Sequence, residues 1–142
     1  MILLDTDHLS IVTGIHTSKQ VDLVKRLRTS NEMLAVPVIA VEEQCKGWLA
    51  LINRKRDVHE QIRGYNELRR LFVFFRQWAI EPFEEHAADR FNDFRKQKVR
   101  IGSQDLKIAS IAVARNGLLL SANLRDFRQV PGLRVESWLE EQ

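Results

Sequence analysis

The chain has 142 residues, 44% of them hydrophobic, with 22 Lys and Arg against 19 Asp and Glu and a formal net charge of +3. No apolar stretch approaches the ~20 residues that span a bilayer, which excludes a helical membrane protein, and with no long polar tract the expectation is one compact domain over residues 1–142. A single cysteine, Cys45, excludes an internal disulfide and a thiolate metal site and reads as a small buried hydrophobe; the Met1–Leu4 run is too short for a signal sequence, so a cytoplasmic protein without membrane contact is expected.

Ile2 to Leu4 is short and aliphatic and predicts a buried strand ending at Asp5-Thr6-Asp7, where Thr6 or Asp7 can cap a turn. A helix is predicted over Lys19–Thr29, and Met33–Val36 reads as a second strand. Pro37 suits the start of a helix over Val38–Asn53, which carries Val38, Val41, Cys45, Trp48, Leu49 and Ile52 at helical spacing. After a charged break at Arg54–Asp57, a helix over Val58–Trp78 bears Ile62, Tyr65, Leu68, Leu71, Phe72 and Phe75, with Gly64 weakening its first turns and Phe74 off the stripe. Ala79-Ile80 is a minimal strand, Glu84–Lys98 an amphipathic helix with a basic end, and Gln104–Asn116 a helix with Ser103 as its N-cap. Leu118–Ser121 and Leu133–Val135 close the series as strands. Such alternation predicts an α/β fold: a central parallel sheet flanked by helices in three layers.

Four acids stand beside apolar runs: Asp5 after Ile2-Leu3-Leu4, Glu43 after Val36–Val41, Asp105 after Val99-Arg100-Ile101, and Asp126 after Leu118-Leu119-Leu120. If those runs are neighbouring parallel strands, their carboxyl ends gather the acids in one crevice. At ~5 Å and an effective dielectric of about 20, each pair of carboxylates repels by roughly 3 kcal/mol, so the cluster wants a cation. Hard oxygen ligands point to Mg²⁺ or Mn²⁺, whose usual work is on phosphate esters. Basic groups at Lys25-Arg26, Arg54-Lys55-Arg56, Arg69-Arg70, Arg95-Lys96 and Arg125 to Arg128 would attract phosphates, although each by itself also reads as a solvated helix face. His8 reads as locally structural, His16, His59 and His86 as surface residues, and Trp48, Trp78 and Trp138 as core or interface.

The segments Leu3 to Ser10, Val41 to Gly47, Ile101 to Ala109 and Leu120 to Phe127 resemble, in order, the four signature blocks of PIN-domain proteins, and Val130 to Trp138 is similar to the tail of their VapC-like toxin branch. The resemblance implies a PIN-like fold and a Mg²⁺- or Mn²⁺-dependent endoribonuclease whose metal and catalytic acids map onto Asp5, Glu43 and Asp105, with the fourth family position falling on Asn123 and Asp126 close by to serve in its place. Glu43 is preferred to Glu42 because the family's Glu stands four residues before a Gly, here Gly47. Asn123 replaces an acid of the family, and Ser121 matches its small hydroxyl residue. Thr6, Ser121 and Asn123 are then expected to support the ligands or touch substrate, with capping and turn formation as the ordinary alternatives for Thr6 and Asn123. RNA as substrate, an antitoxin and a homodimer are the partners implied. A receiver-like phosphoacceptor fits poorly, since no lone mid-chain Asp or late Lys follows; a non-catalytic RNA-binding or scaffold protein on the same fold is the principal alternative.

Overall fold

The computed structural model describes residues 1–14 and 17–139. Five short strands, β1 (Ile2–Leu4), β2 (Leu34–Pro37), β3 (Ala79–Glu81), β4 (Leu118–Leu120) and β5 (Arg134–Glu136), form one sheet in the order β3-β2-β1-β4-β5, every neighbour parallel. β1 lies between β2 and β4, so its backbone is paired on both edges and both its faces are covered. This is why it reads as an unbroken apolar run rather than an alternating one.

Residue alternation splits the core in two. Leu3, Ala35 and Leu119 point to one face, where they pack with Phe94, Leu106, Ala109, Ile111 and Phe127. Ile2, Leu4, Val36 and Leu120 point to the other, against Leu9, Val12, Leu23, Leu27, Leu71 and Phe75. The first face is covered by α5 (Glu85–Lys96) and α6 (Ser103–Ala114), the second by α1 (Thr6–Thr13), α2 (Ser18–Thr29) and α4 (Val58–Phe74). Burying each such Leu, Ile or Phe contributes roughly 1.5–3 kcal/mol against its exposed state. α6 is apolar almost all round, with Leu106, Ile108, Ala109, Ile111 and Ala112 buried, because it is sandwiched between the sheet and α5.

Several expectations need correction. The helix expected from Val38 is α3 (Val38–Arg54), with Pro37 as its N-cap, so the run Val36–Val41 before Glu43 is not a strand throughout. Val99–Ile101 is no strand either; Val99 and Ile101 are buried, but their carbonyls accept from Arg95 Nη1 at 3.1 and 3.0 Å instead of from a neighbouring strand. Gly102, not Ser103, is the N-cap of α6. The turn expected after Asp5 is the eight-residue helix α1, capped by Asp5 itself, and a further short helix, α7 (Leu124–Phe127), follows β4. α4 stops at Phe74, leaving Trp78 stacked on the Phe74 ring at 5.1 Å. Phe74 is half-buried, whereas Phe72, expected on the inward stripe, is 57% exposed. Cys45 is only partly covered. His59 and His86 are exposed; His16 lies outside the described residues. Among the described residues, no helix is long and apolar enough to cross a membrane.

Candidate active site

The chain winds from β1 outward to β2 and β3, then returns to place β4 on the other side of β1. The carboxyl ends of β1 and β4 therefore flank the point where the strand order reverses, the usual binding crevice of an open parallel sheet. Asp5 follows β1 and Ser121 follows β4, and each is held by the ladder: Asp5 N–H donates to Leu120 O at 2.9 Å and Ser121 N–H to Glu136 O at 3.0 Å.

Asp5 is buried and takes two hydrogen bonds, from Thr6 N–H at 2.7 Å and from the Ser121 hydroxyl to Oδ2, also at 2.7 Å. Burial, and after it the charges of Asp7 and Asp105, still raise its pKa to about 6. Asp105 sits in the first turn of α6, where the helix dipole favours a carboxylate. Its pKa is nonetheless raised, by partial burial first and then by Glu43, Asp126 and Asp7. Asp105 thus feels acids from three other parts of the chain across a single crevice.

The neighbouring pair Glu42 and Glu43 diverge. Glu43 accepts the Thr6 hydroxyl at the crevice, while exposed Glu42 turns to Gln104 Nε2 at 2.6 Å and Lys46 at 3.6 Å. The Asn123 amide stands between two acids, donating to Asp126 Oδ2 at 3.1 Å and more weakly, at 3.5 Å, to Asp105 Oδ2. Every expected site residue, Asp5, Thr6, Glu43, Asp105, Ser121, Asn123 and Asp126, is therefore in this region. Asp7, read from sequence as a cap, and His8, read as locally structural, lie here too. Asp7 accepts Ala122 N–H at 2.9 Å and His8 Nδ1–H at 2.6 Å, and His8 is fully buried. The signal was present in the Asp5-Thr6-Asp7 doublet, where the second acid read as a cap.

As a donor set for a metal these side chains are all hard oxygen, which suits Mg²⁺ or Mn²⁺. Among the described residues, however, no three His, Cys, Asp or Glu side chains converge closely enough to hold an ion as they stand. Each acid is turned instead to a hydroxyl or amide donor. Next to Glu43 and Thr6 opens a cavity of about 330 Å³ lined also by Gly47, Trp48, Arg54 and Arg63.

No family model matches the chain. Two curated relatives do. The chain is 30% identical over 73 residues to Ribonuclease VapC2 of Rickettsia felis, 49% of this chain and 54% of that protein, and 41% identical over 44 residues to Ribonuclease VapC1 of the same organism, 31% of this chain and 33% of that protein. The chain thus spans about half and a third of the lengths of the curated relatives it matches. Likeness of fold extends end to end: a chain of the VapBC2 complex of Rickettsia felis bound to promoter DNA superposes with a TM-score of 0.73 at 22% identity, covering 97% of this chain and 99% of that one. A chain of VapBC-1 from nontypeable Haemophilus influenzae gives 0.73 at 21% identity, covering 99% and 100%.

The fold is that of the PIN domain, a parallel sheet with its acids at the reversal of strand order. In fold the chain is similar to the VapBC chains along its length, and in sequence to Ribonuclease VapC2 over about half of it.

Proposed function

We propose that residues 1–142 act as a single PIN-like domain with metal-dependent endoribonuclease activity, the toxin of a toxin–antitoxin pair. The observation that carries the reading is the gathering of Asp5, Glu43, Asp105 and Asp126 about the ends of β1 and β4, with Asp5 and Asp105 both raised by burial and by neighbouring acids. Carboxylates so placed are stabilised by a hard divalent cation, and Asp5 and Asp105, aided by Glu43 and Asp126, would hold it. Bound there, Mg²⁺ or Mn²⁺ supplies Lewis acidity at a scissile phosphate and makes an attacking water more acidic.

The chain's own residues do the rest. Ser121 donates to Asp5 and keeps one carboxylate oxygen directed, while the Asn123 amide spaces Asp105 from Asp126 without adding a third negative charge. Arg54 and Arg63, lining the cavity beside Glu43, are cations placed to draw in the flanking phosphates of an RNA strand, with Trp48 as a surface for a base. For the partners, α4 carries Val58, Ile62, Tyr65, Phe72 and Val73 exposed on one side, an apolar stripe suited to a second copy of the chain or to an antitoxin segment. VapC2 is a ribonuclease by name and the structural neighbours are VapBC complexes, which supports both halves of this reading.

The test is cleavage of RNA by the purified protein with Mg²⁺ or Mn²⁺ and with chelator. Asp105→Asn and Glu43→Gln are expected to lose 100-fold or more in rate, on the order of 3 kcal/mol of barrier, and Glu42→Gln less than about threefold. Equal losses in the two glutamate variants would remove Glu43 from the site. Metal-independent cleavage would overturn the mechanism, and RNA binding without any cleavage would favour the non-catalytic scaffold.

A further inference from the structure

His8 is fully buried beside the crevice, and the chemistry proposed above makes no use of it. Its two ring nitrogens have unlike partners. Nδ1 lies 2.6 Å from Asp7 Oδ1, while Nε2 receives the backbone N–H of Trp138 at 3.0 Å. A peptide N–H can only donate, so Nε2 must present a lone pair, and the neutral ring then carries its proton on Nδ1 and gives it to Asp7. The tautomer is thereby set by a residue 130 positions away.

Asp7 passes this constraint on. Its Oδ1 also accepts the His8 backbone N–H at 2.6 Å, and its Oδ2 accepts Ala122 N–H at 2.9 Å. The Ser121 hydroxyl has one proton and two carboxylates in reach, Asp5 Oδ2 at 2.7 Å and Asp7 Oδ2 at 3.3 Å. With Asp7 already supplied by N–H donors, that proton goes to Asp5.

We infer that His8 and Asp7 are positioning residues, a relay from the Trp138 backbone through His8 and Asp7 to Ser121 and Ala122 that fixes the Ser121 hydroxyl and so the Asp5 carboxylate. Trp138 is itself held at both ends of its side chain. The Arg26 guanidinium of α2 lies 4.0 Å from the ring centroid, and the indole N–H donates to Glu136 Oε2 at 2.8 Å. The segment after β5 thus braces the crevice from α2, and partners of this outer kind typically change metal affinity or activity by about 10–100-fold.

The catalytic part of this inference rests on the nuclease reading; the geometric part does not. Substitutions separate the two ring nitrogens: His8→Asn keeps a donor where Nδ1 stands, His8→Gln keeps an acceptor where Nε2 stands, and His8→Phe keeps neither. On the full chain, ¹⁵N NMR of the His8 ring is expected to show the neutral Nδ1-protonated tautomer. Mn²⁺ affinity by calorimetry is expected to fall about 10-fold in His8→Gln and His8→Phe and to be largely rescued in His8→Asn. In RNA cleavage the same order should appear in kcat with KM little changed. An Nε2-protonated ring, or equal Mn²⁺ affinity in the Asn and Gln variants, would overturn the relay. Absence of RNA cleavage by the parent protein would overturn the nuclease reading and leave the relay to be decided by the tautomer and the Mn²⁺ series.

Discussion

Asp5 concentrates the electrostatic cost of this crevice. Its folded pKa of about 6, raised by burial and then by Asp7 and Asp105 against the Ser121 and Thr6 hydrogen bonds, exceeds the unfolded value of 3.8. A raised folded pKa means that the native state binds the proton more tightly. The stabilisation is therefore complete below pH 3.8 and lost as pH rises through about 6, a difference on the order of 3 kcal/mol by pH 7. Asp5→Asn removes the charge while keeping the shape; Thr6 N–H retains its acceptor, and the Ser121 hydroxyl can turn to Asp7 Oδ2 and accept from the new amide. In chelator at pH 7 this variant is expected to be about 1–3 kcal/mol more stable than the parent by urea denaturation, with the advantage gone near pH 4. A less stable variant at pH 7 would show that the two hydrogen bonds outweigh the burial of charge. Sequence reading reached Asp5 through the joint order of the acids beside apolar runs, since an Asp at a strand end is by itself also a common cap, and Asp5 does cap α1. It placed His8 near the site in a local structural role, but could not name its partner, because Trp138 N–H is brought to it only by the pairing of β5 with β4.

At the level of elements, the four acid-bearing runs do not behave alike. Two end in the strands β1 and β4, and the residues after them face each other as expected. Glu43 and Asp105 reach the same crevice from helices, because α3 begins directly after Pro37 and α6 begins after a loop tied down by Arg95. Short apolar runs are ambiguous between strand and buried loop, and only the tertiary bonds of Arg95 resolve Val99–Ile101. Gly64 shows the same limit from another side. In sequence it weakens a helix; in the fold it lets α4 lie against α3, for a Cβ there would stand 2.5 Å from Ile52 Cγ1. Gln61 Nε2 ties the same two helices, donating to Ile52 O at 3.2 Å and Lys55 O at 2.8 Å. Gly64→Ala gains about 1 kcal/mol of helix propensity but overpacks a stiff β-branched side chain, so a net loss of about 1–2 kcal/mol is expected. Pairing it with Ile52→Ala should recover part of the loss, and a double-mutant cycle with no coupling would show that the helices separate freely.

For the whole molecule, the parallel sheet was legible because apolar runs alternate with helical periods, whereas the order β3-β2-β1-β4-β5 was not, since nothing local says on which side of β1 the fourth strand will pair. That choice determines the site. It sets Ser121 against Asp5 and leaves Glu43, Asp105 and Asp126 to approach from helices on either side, giving a crevice in which ionising Asp5 and Asp105 opposes folding. On the proposed reading, metal and proton compete for the same carboxylate, with opposite consequences for stability. Without metal, the Asp5 contribution declines as pH rises through about 6; with metal, the ionised form is the ligand, so the stabilisation by Mg²⁺ or Mn²⁺ should grow over the same interval. An ion at ten times its Kd adds about 1.4 kcal/mol. Thermal unfolding at pH 5, 6, 7 and 8 in Mn²⁺ and in chelator is expected to show a Tm difference that is small at pH 5, larger at pH 7 and 8, and absent in Asp105→Asn at every pH. A difference of equal size at pH 5 and pH 8, or one that survives Asp105→Asn, would place the bound ion away from this crevice.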